Sequence, residues 1–323
     1  MKKLVTLLFV CLLGAGLARV CLAIELGIIT GKEKGTYYEI GMNLQQLMQQ
    51  HDVQLNVFSS NGSIENAYAV YKRPGVPLGI VQADVLAFVT KMQNNTLLRS
   101  VARKVRMVFP LYDSEVHILG RKDIASFEDL TGKRVAIGDE ASGTYMTSKL
   151  LFEVSKVMPK EMVEIGTEKA LARLKAGSID AMIFNAGIPV KLFEELVTEA
   201  DNLHLIPVTN KNILQFYPAM TIPSGTYSWQ PGPVKTIGVK AVLISFDFRT
   251  EQCDHVGQFA RILMENLDWL RQNGHPKWKQ VDLEYPLKGW EQYDCVRKYT
   301  AQRKRMDPAM FNPLWDAMRQ MLR

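Results

Sequence analysis

Short apolar runs alternate with amphipathic runs along most of this chain, and the alternation is traversed twice. Residues 26–30, 54–59, 78–82 and 106–111 read as strands, with helical runs at 37–50, 64–71 and 85–92 between them. The pattern then restarts, with strands at 134–138, 162–165, 181–184 and 203–208 and helices at 145–157, 169–175 and 190–200. The strands are short and almost wholly apolar, which is the signature of a parallel sheet covered by helices on both faces. The second helix of each pass ends on a basic residue and a glycine, at Lys72-Arg73-Pro74-Gly75 and Lys175-Ala176-Gly177, as helix C-termini prefer. The pattern therefore predicts two α/β lobes of the doubly wound kind. Two long extended runs, 114–120 and 236–246, lie where the chain enters and leaves the second pass. They predict a hinge of two antiparallel strands. The expected division is 24–113 with 243–323 for one lobe and 114–242 for the other.

The chain has 323 residues, 47% of them hydrophobic and 22% charged, enough for two cores. Residues 1–23 stand apart. Met1-Lys2-Lys3 is a positive start, 4–17 is an apolar run, and Cys21-Leu22-Ala23 ends on a small residue. This is the pattern of a cleavable secretory signal, and the apolar run is short for a membrane anchor. Lys2, Lys3 and Arg19 would leave with it, taking the net charge from +6 to +3. A mild positive excess favours anionic partners without singling out nucleic acid. The tight basic cluster Arg303-Lys304-Arg305 reads as a solvated helix face. Cleavage leaves Cys253 and Cys295. One even pair in an exported chain invites a disulfide, the alternative being two unpaired buried thiols. The histidines are scattered, and neither a CxxC nor an HExxH pattern occurs, so no metal or other cofactor is expected. A monomer is expected.

In a doubly wound sheet, ligands sit beyond the carboxyl ends of the strands. The loops there are 30–36, 59–63, 82–84, 138–144 and 185–187. Gly-Thr-Tyr occurs three times, at Gly35-Thr36-Tyr37, Gly143-Thr144-Tyr145 and Gly225-Thr226-Tyr227. The first two copies follow a strand and open a helix, where free amides and the helix dipole favour an anion. The third has no helix after it and reads as a turn before the return strand. Ser142-Gly143-Thr144 combines two hydroxyls with a glycine that permits close backbone approach, although Ser142 is also an ordinary helix cap. Ser59-Ser60-Asn61-Gly62-Ser63 has the same character, with Asn66 one turn on. Gln82 and Asp84 flank a strand end; Asp84 suits either a helix cap or a ligand ammonium group. Asn185 ends the matching strand of the second pass.

Enzyme motifs fail. Gly27-Ile28-Ile29-Thr30-Gly31-Lys32 is one residue short of a P-loop, and Glu33 stands where a magnesium-binding hydroxyl would be needed. Neither GxGxxG nor GxSxG occurs. No histidine lies near a candidate serine in these loops. An exported α/β enzyme would have to use Asp84, Asp139 or Glu140 as its acid or base. The chain is expected not to be an enzyme.

Five segments carry a family resemblance: Gly35-Thr36-Tyr37-Tyr38-x-x-Gly41, Asn61-Gly62-Ser63-x-x-Asn66, Ile80-Val81-Gln82-x-Asp84, Asp129-Leu130-x-Gly132-Lys133-Arg134-Val135-Ala136-x-Gly138, and Ser142-Gly143-Thr144. In order and spacing they resemble the TAXI family, the extracytoplasmic solute receptors of tripartite ATP-independent periplasmic (TRAP) transporters. The resemblance spans about residues 24–270. It implies a two-lobed periplasmic binding protein of type II topology, whose partner is an ion-gradient-driven membrane permease. The implied ligand is a small carboxylate such as glutamate or 2-oxoglutarate. By motif, Gly35, Thr36, Tyr37, Ser63, Asn66 and Gln82 would form one half-site, and Ser142, Gly143 and Thr144 the other; Asn185 follows from strand position. A receptor for an ABC importer or a sensor kinase would look the same in sequence. The charged stretch Lys32-Glu33-Lys34 departs from the small residues usual there, and Lys34 is a possible carboxylate partner. The tail from Asn273 lies outside the resemblance and reads as a helical extension stapled by Cys253 and Cys295, or a docking surface.

Overall fold

A computed structural model describes residues 24–85, 100–101, 103–248 and 251–306. The expected signal segment and most of the helix read at 85–92 lie outside these residues.

The first pass gives β1 (Ile24–Ile29), α1 (Thr36–Gln49), β2 (Val53–Phe58), α2 (Ser63–Lys72) and β3 (Leu78–Gln82). The long β4 (Val105–Arg121) leads into the second pass. That pass is β5 (Arg134–Ala136), α3 (Gly143–Ser155), β6 (Glu161–Val163), α4 (Thr167–Lys175), β7 (Ala181–Ala186) and α5 (Lys191–Leu196). Two short strands follow, β8 (Leu203–Leu205) and β9 (Ala219–Ile222), and then β10 (Val234–Phe246). The tail is helical: α6 (Glu251–Glu265), α7 (Leu267–Asn273), a 3-10 turn at Pro276–Gln280, and α8 (Asp294–Met306).

All ten strands belong to one sheet, in the order β2-β1-β3-β10-β4-β7-β5-β6, with β8 added on β4 and β9 on β10. The two ends repeat one plan. β1 lies between β2 and β3, and β5 lies between β6 and β7, all parallel. Each parallel trio is buried on both faces. The α1 side of the first carries Leu26, Ile40, Leu44 and Phe259, and its other side carries Val70, Val81 and Ile244. Two further clusters flank the second trio.

The centre differs from the sequence reading. The strand at 106–111 and the extended run at 114–120 are one strand, β4, buried along nearly its whole length. β4 pairs antiparallel with β10 from Val105 to Glu115 and with β7 from Glu115 to Gly120. The expected hinge strands are therefore full members of the sheet, because their apolar residues bury more surface there than bare connectors could. The ladder between them shifts register at Lys240/Val242 and at Leu243/Ile244. Residues 203–208, read as a further strand of the second pass, give only β8, and it runs antiparallel to β4. α5 is also shorter than expected. It stops at Leu196, and Thr198 and Asp201 form a capping box that starts a separate 3-10 turn.

Cys253 on α6 and Cys295 on α8 are disulfide-bonded, with their Cα atoms 5.4 Å apart. The tail carries Trp278 and Cys295 into the α1-side core.

Candidate functional site

Four helices begin at strand carboxyl ends, and each begins on glycine followed by a hydroxyl residue: Gly35-Thr36, Gly62-Ser63, Gly143-Thr144 and Gly166-Thr167. Their starts come together around one cavity between the two ends of the sheet, with about 750 Å³ of empty space continuous with solvent at its mouth. Gly35, Thr36, Tyr37, Ser63, Gln82, Ser142, Gly143, Thr144 and Asn185 all line it. Asn66 does not. Its amide is fully buried and donates to the carbonyls of Thr30 and Ile80, while its oxygen accepts from Ser60 Oγ at 2.6 Å. It ties the first-half loops together and is a scaffold residue, a correction to its sequence-based place in the half-site.

Sequence reasoning missed Gly166, Thr167 and Glu168 at the start of α4, together with the apolar wall of Phe184 and Leu192. The signal for the α4 loop was present. It follows strand β6 and repeats the Gly-Thr pair, but without the tyrosine that drew attention to the other copies. Phe184 and Leu192 carried no signal, because an apolar residue in a buried strand or helix is core by default.

Contacts cross the cavity and hold the two sides together. Thr36 Oγ1 donates to Gly187 O at 2.7 Å. The amides of Ile64 and Glu65 both donate to Ala141 O, at 3.2 and 3.3 Å. Two amides at the start of α2 are thus satisfied by a backbone carbonyl from across the cavity, and one at the start of α3, that of Tyr145, by the Ser142 hydroxyl. A Cβ on Gly143 would meet Gln82 Oε1 at 2.2 Å and Ser63 Oγ at 2.7 Å, so only glycine permits this approach. Lys34 bridges to Glu195 on α5 at 2.6 Å. The cations at the cavity wall are this paired Lys34 and the exposed Lys32, and Asp139 and Glu168 contribute acids.

Ser142 is an N-cap, accepting from the Tyr145 amide at 3.1 Å and donating to Asp139 O at 2.6 Å. Thr144 Oγ1 accepts from the Asn185 amide at 3.2 Å. The Tyr37 hydroxyl and both polar atoms of the Asn185 side chain are buried with no protein partner. Burial pushes the Tyr37 phenol well above its ordinary value. Asp84 does not line the cavity. Its Oδ2 accepts from Thr147 Oγ1 at 2.7 Å and from Tyr217 O–H at 3.2 Å, and burial raises its pKa to about 6. It therefore joins the two sides instead of facing a ligand. The third Gly-Thr-Tyr is a turn, with Gly225 at φ 72°. Tyr227 is core, stacked on Trp229 and bonded to His117 Nε2 at 2.8 Å. Among the described residues no group of three or more His, Cys, Asp or Glu is placed to hold a metal ion.

Behind the cavity, Lys277 of the tail is buried against Glu115 of β4 at 2.5 Å and also donates to Asp113 O. Burial pushes the Glu115 carboxyl up, and the ammonium opposes that. Glu115 Oε2 accepts from the Ile188 amide at 3.1 Å. A Cβ on Gly187 would meet Tyr112 at 2.7 Å and Lys277 at 2.9 Å. Sequence reading gave no reason to single out this pair.

The fold is a mixed α/β architecture of the periplasmic-binding-protein kind. A solved structure described as a periplasmic transporter is similar with a TM-score of 0.50 and 12% identity, over 77% of this chain and 87% of that one. An ABC uptake transporter substrate-binding protein from Streptococcus pneumoniae, with bound histidine, gives 0.49 and 13%, over 81% and 94%. A histidine kinase sensor domain with similarity to periplasmic binding proteins gives 0.49 and 15%, over 80% and 98%. The family model described as NMT1-like matches residues 28–290, and the chain belongs to the NMT1-like family.

Proposed function

We propose that this protein is an exported solute receptor that captures a small organic anion by closing its two sides around it. The observation that carries the reading is the convergence of the α1, α3 and α4 starts on one cavity bridged by cross-cavity contacts. Helix starts offer amides and a positive field to a carboxylate, each contribution worth roughly 0.3–1 kcal/mol. Closure excludes water and strengthens those charge-assisted bonds. The moving bodies are 24–113 with 243–323 and 114–242. β4 and β10 bend between them, and the register shifts in their ladder mark where the pairing is least regular. Family and fold favour a binding protein over an enzyme.

The finer reading is a TAXI-type receptor that binds a carboxylate such as glutamate or 2-oxoglutarate and delivers it in the periplasm to a TRAP-type permease. The five sequence segments support it. Consistent with export as a free protein, no helix among the described residues is long and apolar enough to cross a membrane. A thermal-shift screen of carboxylates and amino acids, with heparin as control, tests the receptor role. Stabilisation by one or a few anions is expected; a shift with heparin alone would sink it. Pull-down with the membrane protein encoded beside it tests the partner: a large permease supports the TRAP reading, and an ATPase-coupled permease or a sensor kinase replaces it.

A further inference from the structure

Two asparagines end up buried near the cavity, and they are treated oppositely. Asn66 has both side-chain groups bonded to protein, through Thr30 O, Ile80 O and Ser60 Oγ. Asn185 is 8% exposed, lines the cavity, and has neither its Oδ1 nor its Nδ2 bonded to protein. Buried polar side-chain atoms in native proteins nearly always have a partner. Its backbone is fixed, since its amide donates to Thr144 Oγ1 and β7 pairs with β4 at Val116. The unpartnered side chain thus belongs to a residue held in place in the cavity lining, with both polar atoms covered in this conformation. The Tyr37 hydroxyl, also at the cavity wall and also unpartnered, adds one more donor and acceptor.

An ionised carboxylate offers only acceptors, whereas a side-chain amide has one acceptor oxygen and two donor hydrogens. A carboxylate can therefore pair with Asn185 Nδ2 but leaves Oδ1 without a donor, whichever way the amide is turned. Resting on the receptor reading above, we propose that the ligand carries an N–H donor beside a C=O acceptor, as in a primary carboxamide or a ureido group. Asn185 reads that edge in a two-point contact. The ligand's anionic group lies at the helix starts, and its carbon body lies against Phe184 and Leu192.

Isosteric pairs test this: succinamate against succinate, and glutaramate against glutarate, titrated calorimetrically into the full secreted chain. The amide member of at least one pair is expected to bind tenfold or more tightly, because a site that hydrogen-bonds an N–H discriminates strongly against analogues lacking it. Asn185→Leu, of similar size and without polar atoms, is expected to remove the preference while leaving weak binding of both members. Equal or tighter binding of the diacids, or a preference that survives in Asn185→Leu, overturns the inference and leaves the receptor reading standing. Failure of all four compounds and of the wider anion screen overturns both. Circular dichroism and the melting curve of Asn185→Leu establish that the variant folds.

Discussion

The two sides of the cavity are built from the same strand–glycine–hydroxyl–helix unit, yet they are braced differently. The first side braces itself: Asn66, Ser60 and Thr30 form a closed network inside one set of loops, and Thr30 and Ser60 take part through both backbone and side chain. The second side is braced from outside. Its Asn185–Ile188 segment leans on Glu115, and Glu115 is held by Lys277 from a tail more than a hundred residues further along the chain. The contrast is sharpest at the two asparagines: Asn66 is consumed in scaffold bonds, whereas Asn185 keeps both polar side-chain atoms without a protein partner.

If that comparison is right, the largest loss of stability comes from Lys277→Ala, which strands the Glu115 carboxylate. It is expected to cost about 3–5 kcal/mol in urea unfolding, while Lys277→Met combined with Glu115→Leu loses far less. Equal losses in the two variants would show that packing, not charge, makes the brace. Next is Asn66→Leu, which takes a donor from the buried carbonyls of Thr30 and Ile80 and an acceptor from the Ser60 hydroxyl, and is expected to cost about 2 kcal/mol. Asn185→Leu, by contrast, is expected to stay within about 1 kcal/mol of the parent, since it removes no protein bond. Similar losses for the two asparagines would erase the distinction between the sides.

Asp84 sets the pH response of the contact between the sides. Its pKa is raised from 3.8 to about 6, so between those values the native state holds a proton that the unfolded chain has released. Stability attributable to Asp84 therefore falls as pH rises from about 4 through 6. The penalty is fully present above 6 and amounts to roughly 3 kcal/mol. Asp84→Asn keeps an acceptor for Thr147 and Tyr217. It is expected to be more stable than the parent at pH 7, with the difference closing near pH 4. A pH-independent difference would mean that the carboxyl is solvated. The smallest effect is on binding. Gly143→Ala drives a Cβ into Gln82 and Ser63 and is expected to weaken ligand binding about tenfold, or 1.4 kcal/mol, with the melting temperature nearly unchanged because the sides can part. Solution scattering should then show a more open molecule with ligand present; an unchanged profile would place the closure contact elsewhere.

Much of this architecture was legible in the chain. The strand read at 78–82 coincides with β3, and the other strands of both parallel trios fall within two residues of their observed ends, because a buried parallel strand has to be an unbroken apolar run. All the residues assigned to the site except Asn66 line the cavity, because helix starts at strand ends are fixed by topology. What escaped was non-local. Asn66 lies in the first turn of a helix and Asn185 near the end of a strand, and nothing in their neighbours says which will find carbonyls to bond. Ser142 read as a ligand group with an ordinary cap as the alternative, and its hydroxyl is occupied as a cap.

By itself, then, the sequence determined the two α/β passes, the glycine–hydroxyl helix starts, and the pairing of the two cysteines as one of two possible outcomes, since all three depend on local pattern or simple parity. Only the tertiary structure decided that β4 and β10 fuse both halves into one sheet, that Lys277 returns from the tail to neutralise Glu115, and that the start of α2 is closed by Ala141. These depend on which groups, distant in the chain, meet in the buried interior. There an unmatched charge or amide costs enough to dictate its partner, and no local window of sequence records who that partner is.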